Sequence, residues 1–125
     1  MNARPVRPDM TPALVSPRLR LARLAWERAL STEGVDSGYA GESGFWQTDY
    51  RGEVLPGVLA IARSDARYDV ELHLRAAWPT PPLHEVARSI REDVVASAAR
   101  MGLAQALGAL EIAFGDMAEP PLGGS

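Results

Sequence analysis

The chain contains no cysteine and no lysine, and it has only two histidines among its 125 residues. Without cysteine it can form neither a disulfide, nor a thiolate metal site, nor a nucleophilic thiol. Without lysine, its 13 positive side chains are all arginine, and the formal net charge is -3. A nucleic-acid-binding protein is usually basic over its contact surface, so this charge balance argues against a nucleic-acid partner.

Long apolar runs are also missing. No stretch approaches the roughly 18 to 20 apolar residues that would span a bilayer. The first ten residues hold two arginines and two prolines instead of the apolar segment of a secretory signal. We therefore expect a cytoplasmic protein without direct membrane insertion, associated with the inner face of the membrane only through a partner.

Length and composition indicate one domain with one core. The hydrophobic fraction of 46% and the charged fraction of 23% are those of an ordinary globular protein. Residues 1–15 contain three prolines and are predicted to form a flexible leader. The sequence predicts a single α+β domain over 16–117 and a disordered tail over 118–125.

Two segments have the periodicity of amphipathic helices. Ser16-Pro17 provides a cap and a first-turn proline for a helix that is expected to end near Ser31. A second helix is predicted after the Pro-rich segment at 79–82, with Gly102 as its C-terminal cap. Its apolar stripe consists of Leu83, Val86, Ala87, Ile90, Val94, Ala98 and Met101.

Three segments are predicted to be strands. Residues 58–62 form a short apolar run, and residues 68–76 alternate strictly between apolar and ionisable side chains. Residues 110–114 form a third, shorter alternating run. The order α-loop-β-β-α-β predicts a small, mostly antiparallel sheet of three to four strands with both helices on one face. The stripe of the second helix is expected to pack against the inward side chains of strand 68–76.

The segment at 36–53 interleaves four glycines with four aromatic residues. Glycines this frequent interrupt periodic structure, so the sequence predicts a long loop with at most one short strand. Its aromatic side chains are expected to fold back over the edge of the core. Long loops within compact domains are often functional.

No combination of residues indicates catalysis. Gly41-Glu42-Ser43-Gly44-Phe45 lacks the last glycine of a nucleophile elbow, and the strand and helix that should flank it are absent. His73 and His84 are interpreted as solvated surface residues, and no pair of carboxylates is placed across a recognisable cleft. We therefore predict a protein that is not an enzyme, with no catalytic, cofactor-binding or metal-binding residues.

Four residues are candidates for contact with a partner. Trp46 and Trp78 are candidates because exposed aromatic side chains are enriched at interface hot spots. Arg88 and Arg91 together could bind an anion, although carboxylates at 85, 92 and 93 offset their charge locally.

The pattern from Val70 to Met117 resembles the alkaline shock protein family of bacterial envelope stress response proteins. An alternating strand runs into an aromatic residue at Trp78 and is followed by a helix that carries apolar, Glu and Val positions over 83–94. A Gly-Leu pair at 102–103 and a closing strand at 110–114 complete the pattern. The first helix, which ends in Glu33-Gly34-Val35, is also similar to the early helix of that family.

The resemblance implies a non-enzymatic cytoplasmic scaffold that is held at the inner face of the membrane by small membrane-anchored proteins, often with self-association. It also implies a role in envelope stress or homeostasis, and no catalytic residues. An alternative from the residues themselves is a small-ligand or metal-handling domain that uses the loop at 36–53 as a lid. Binding of metals or metabolites, lost on changing His73 or His84, would favour that alternative.

Overall fold

The computed structural model describes residues 15–119. Apart from Val15 and residues 118–119, the predicted leader and tail lie outside that range. Two helices, six strands and one short 3-10 helix are described. In chain order they are α1 (Pro17–Leu30), β1 (Val35–Gly38), β2 (Gln47–Tyr50), β3 (Glu53–Pro56), β4 (Val58–Ala62), β5 (Tyr68–Ala76), α2 (Leu83–Arg100), the 3-10 helix (Ala104–Ala106) and β6 (Leu107–Met117).

The helix boundaries follow from local capping. The Ser16 hydroxyl accepts a hydrogen bond from the Leu19 amide at 3.2 Å, and Pro17 occupies the first turn, as predicted for α1. Helix α2 ends at Arg100, and Gly102 adopts a φ of +73°. The following amide of Leu103 donates to the Ala98 carbonyl at 2.8 Å, which satisfies a carbonyl of the last helical turn.

Strand β5 is the centre of a four-stranded sheet. Strand β6 runs parallel to it along one side, as the α2 crossover permits. On the other side, β4 pairs antiparallel with the first half of β5, and β1 pairs antiparallel with its second half. The predicted α+β class, with both helices on one face of a mostly antiparallel sheet, is confirmed.

One apolar core lies between the sheet and the two helices. Val70, Leu72 and Leu74 of β5 are fully buried. Helix α1 lies close to β4 and β5, and its buried residues include the small side chains of Ala22 and Ala25. Helix α2 packs against α1 and β6 and contributes larger side chains to the same core.

The predicted stripe of α2 is confirmed at its centre and wrong at its end. Val86, Ile90, Val94 and Ala98 are buried. Met101 is half exposed, because the helix has already ended at Arg100.

The prediction of a long loop at 36–53 is wrong. Strand β1 overlaps its beginning, and β2 and β3 form a hairpin joined by the two-residue turn Arg51-Gly52. Both turn residues have positive φ, at 56° and 93°, which matches the twist of a tight hairpin. The Thr48 hydroxyl donates to the Val58 carbonyl at 2.6 Å, so the hairpin is fastened to β4. Only residues 39–46 are irregular.

Among residues 15–119, no helix is both long enough and apolar enough to cross a bilayer.

Candidate partner-binding site

Residues 39–46, which we call the aromatic loop, are held by backbone hydrogen bonds at both ends. The Tyr39 amide donates to the His73 carbonyl at 2.8 Å, and the Trp46 amide donates to the Ala40 carbonyl at 3.0 Å. Within the loop, the Gly44 amide donates to the Gly41 carbonyl at 3.2 Å and closes a turn. Both glycines have a positive φ. The loop therefore has a defined conformation on the sheet.

Trp46 anchors the aromatic loop to the outer face of the sheet, opposite the helices. Its ring stacks on the imidazole of His73, with centroids 4.0 Å apart and planes inclined by 3°. The ring of Tyr39 lies at a tilt beside Trp46, 6.0 Å away between centroids. His73 Nε2 is 3.2 Å from Glu71 Oε1. The loop thus shields one ionisable residue of β5 from solvent.

The interpretation of His73 as a solvated residue is wrong. Its side chain is 15% exposed, because the Trp46 ring covers it. The alternation of β5 correctly places His73 on the face away from the helices, but it gives no information about what covers that face. His84, at the start of α2, is exposed as expected.

Glycines allow the loop to approach the sheet closely. A Cβ on Gly41 would lie 3.0 Å from the Trp46 ring, and a Cβ on Gly115 of β6 would lie 2.8 Å from the Tyr39 ring. Only a residue without a side chain leaves room for these rings.

Phe45 projects from the aromatic loop into solvent. Its side chain is 80% exposed, whereas that of Trp46 is half-buried against His73. Successive side chains of an extended segment point to opposite sides, so only one of these two neighbours can pack on the sheet. The expectation that the aromatics of this segment fold back over the core edge is therefore wrong for Phe45. The signal in the sequence for an exposed Phe45 is that two aromatic residues, Phe45 and Trp46, are adjacent.

The four candidate contact residues are not brought together. Trp46 lies on the outer face of the sheet, and Trp78 is half exposed after the end of β5. Arg88 is exposed on α2, which packs on the other face. Arg91 donates to the Leu110 carbonyl of β6 rather than to an anion site shared with Arg88.

Several charged residues of the surface pair with each other. On the outer face, Arg63 lies 3.3 Å from Asp69, and Arg75 lies 3.0 Å from Asp116. Near the hairpin, side-chain hydrogen bonds to Glu27 and then Glu53 raise the pKa of Arg23 above its ordinary value. These pairs are exposed, so each contributes little to stability.

Two other features bear on ligand binding. A cleft of about 150 Å³ lies between α1 and the hairpin, and of the segment 36–53 only Tyr50 contributes to its lining. Within residues 15–119, no group of three or more His, Asp or Glu side chains is arranged to hold a metal ion.

The chain was compared with protein-family models, with curated proteins and with solved structures. None of the three comparisons found a match.

Proposed function

We propose that this protein is a non-enzymatic binding module of the bacterial cell envelope, which acts in the cytoplasm by docking onto a small membrane-anchored protein. The observation that carries the proposal is the presentation of Phe45 by the aromatic loop. Phe45 is 80% exposed although the residues around it are ordered by hydrogen bonds and by the stacking of Trp46.

Burial of a phenylalanine side chain is favourable by about 1.5–3 kcal/mol. Trp46 and Tyr39 hold the aromatic loop on the sheet, whereas Phe45 remains in water. The free energy of burying the Phe45 side chain is therefore still available when a partner binds. Large aromatic side chains inserted into a partner's pocket are typical hot spots of protein interfaces. The resemblance of residues 70–117 to the alkaline shock family supports the envelope and the membrane-anchored protein as the setting.

The proposal is tested by photo-crosslinking. The chain carries p-benzoylphenylalanine at position 45 and, in a matched control, at position 54. Val54 is also exposed, but it lies on β3 outside the aromatic loop. After irradiation with a membrane fraction from the source cell, crosslinked proteins are identified by mass spectrometry. The expected result is one membrane-anchored protein that crosslinks at 45 and not at 54.

The same partner then serves in a binding measurement. Phe45→Ser should weaken binding by about 10-fold or more, and Val54→Ser should leave it nearly unchanged. Equal crosslinking from both positions, or unchanged affinity of Phe45→Ser, would contradict the proposal.

A further inference from the structure

Strand β6 lies at one edge of the sheet, and its outer side is open. It pairs with β5 on one side, and no segment among residues 15–119 pairs with its other side. The His73 amide donates to the Gly57 carbonyl and the His73 carbonyl accepts from the Tyr39 amide, so its neighbours Leu72 and Leu74 direct their backbone groups toward β6. In a parallel ladder such groups bond to the residues that flank their register partners, so the backbone groups of the partners themselves, Leu110, Ile112 and Phe114, point to the open side. An 11-residue open edge is a template for pairing with another chain.

Apolar side chains follow this edge on the side of the helices. Leu110 is buried, but Ile112 and Phe114 are only partly buried by the core. Arg91 of α2 reaches the Leu110 carbonyl, and Val95, one turn further along the same side of the helix, is half exposed. The edge therefore combines unpaired backbone groups with incompletely covered apolar side chains.

We propose that β6 pairs antiparallel with β6 of a second copy of this chain, about a twofold axis at Ile112. In this register Leu110 faces Phe114 of the other copy, and Ile112 faces its own equivalent. All three then form backbone hydrogen-bonded pairs, since their N–H and C=O groups point outward. The Leu110 carbonyl has two lone pairs and accepts from both Arg91 and the second copy.

The positions of the charged side chains favour the axis at Ile112 and favour a second copy of this chain as the partner. A shift of the axis to Glu111 would place that carboxylate against its own copy, which is unfavourable. With the axis at Ile112, Glu111 faces Ala113, and Asp116 comes opposite Gly108 of the other copy. The Arg63 guanidinium lies against Gly108, 2.8 Å from where a Cβ would stand. Arg63, which also contacts Asp69 of its own copy, therefore lies beside Asp116 of the other copy, and this contact occurs twice by symmetry.

The proposal does not depend on a partner at Phe45, and it is tested on the full chain alone. Sedimentation equilibrium should show a dimer. Ile112→Pro removes an outward amide and no hydrogen bond to β5, so it should weaken the dimer by about 100-fold or more while the circular dichroism is unchanged. Ile112→Ala, which retains the amide, should weaken it by about 10-fold or less.

The absence of native cysteine permits a second, independent measurement. Backbone hydrogen-bonded antiparallel pairs have Cα atoms about 5.5 Å apart, which suits a disulfide. Ile112→Cys should therefore give a disulfide-linked dimer on oxidation, and Ser64→Cys, in the exposed β4–β5 turn, should not. Arg63→Asp and Asp116→Arg should each weaken the dimer, and the two together should restore it.

A chain that stays monomeric at all concentrations tested would overturn the proposal. The proposal would also be overturned if the chain dimerised but Ile112→Pro left the dimer intact and Ile112→Cys gave no disulfide-linked dimer. A monomer whose edge is instead protected from hydrogen exchange by residues 1–14 would assign the edge to the chain's own leader, and it would also overturn pairing with a second copy.

Discussion

At the scale of single residues, Gly57 lies where the neighbouring backbone leaves no room for a side chain. It has a φ of +92°, and a Cβ there would stand 2.4 Å from the His73 carbonyl oxygen and 2.7 Å from the Tyr39 amide. Both obstacles are backbone atoms that cannot rotate away. Gly57→Ala should therefore lower the free energy of unfolding by about 3 kcal/mol or more, measured by urea denaturation.

Gly52 is a matched control for that substitution. Its φ of +93° is nearly the same, but no atom lies within 4 Å of its added Cβ. Gly52→Ala should cost only the conformational penalty, about 1–2 kcal/mol. Equal losses at the two positions would show that the close backbone approach at Gly57 contributes nothing.

At the scale of elements, the sequence predicts best where side-chain periodicity is unbroken. The strict alternation of side chains predicts strand β5 over 68–76, and the strand spans Tyr68–Ala76. For strand β6 the sequence predicts only 110–114, whereas the strand spans Leu107–Met117. Gly108 and Gly115 interrupt its alternation, and the strand tolerates them because neighbouring side chains pack where theirs would be.

Side-chain periodicity does not predict the β2–β3 hairpin. It does not predict how the aromatic loop is anchored either. The hairpin turn uses Arg51 at a positive-φ position that Asn or Gly usually occupies, so the usual turn signal is missing. Trp46 was identified as a candidate contact, but its partner His73 lies 27 positions away. Contacts between a loop and a sheet depend on tertiary packing, which local pattern does not encode.

Stacking of Trp46 on His73 predicts an energetic coupling between the loop and the sheet. Trp46→Ala, His73→Ala and the double variant form a double-mutant cycle, with the free energy of unfolding measured by urea denaturation. A coupling of about 0.5–1.5 kcal/mol is expected for a stacked aromatic pair. The control cycle combines His73→Ala with Trp78→Ala and should be additive, since the ring of Trp78 does not stack on His73. Additivity in both cycles would contradict a fixed aromatic loop.

At the scale of the whole molecule, the hairpin forms a sheet of its own but shares the main core. Leu55 of β3 is fully buried in the same apolar cluster as Leu72 of β5 and Ile90 of α2. The indole N–H of Trp26 in α1 also donates to the Pro56 carbonyl at 3.0 Å. The two sheets should therefore unfold together, with coincident transitions in tryptophan fluorescence and far-ultraviolet circular dichroism.

Leu55→Ala tests this cooperativity against a neighbour on the same strand. Removal of the buried side chain should lower the free energy of unfolding of the whole molecule by about 2–5 kcal/mol. Val54, the preceding residue, is 52% exposed on the other side of the strand, so Val54→Ala should cost about 0.5 kcal/mol or less. If Leu55→Ala instead split unfolding into two transitions, the hairpin would be an independent unit. A single transition displaced to lower urea would show that the β2–β3 hairpin, which the aromatic loop leads into, and the helix-covered sheet depend on one core.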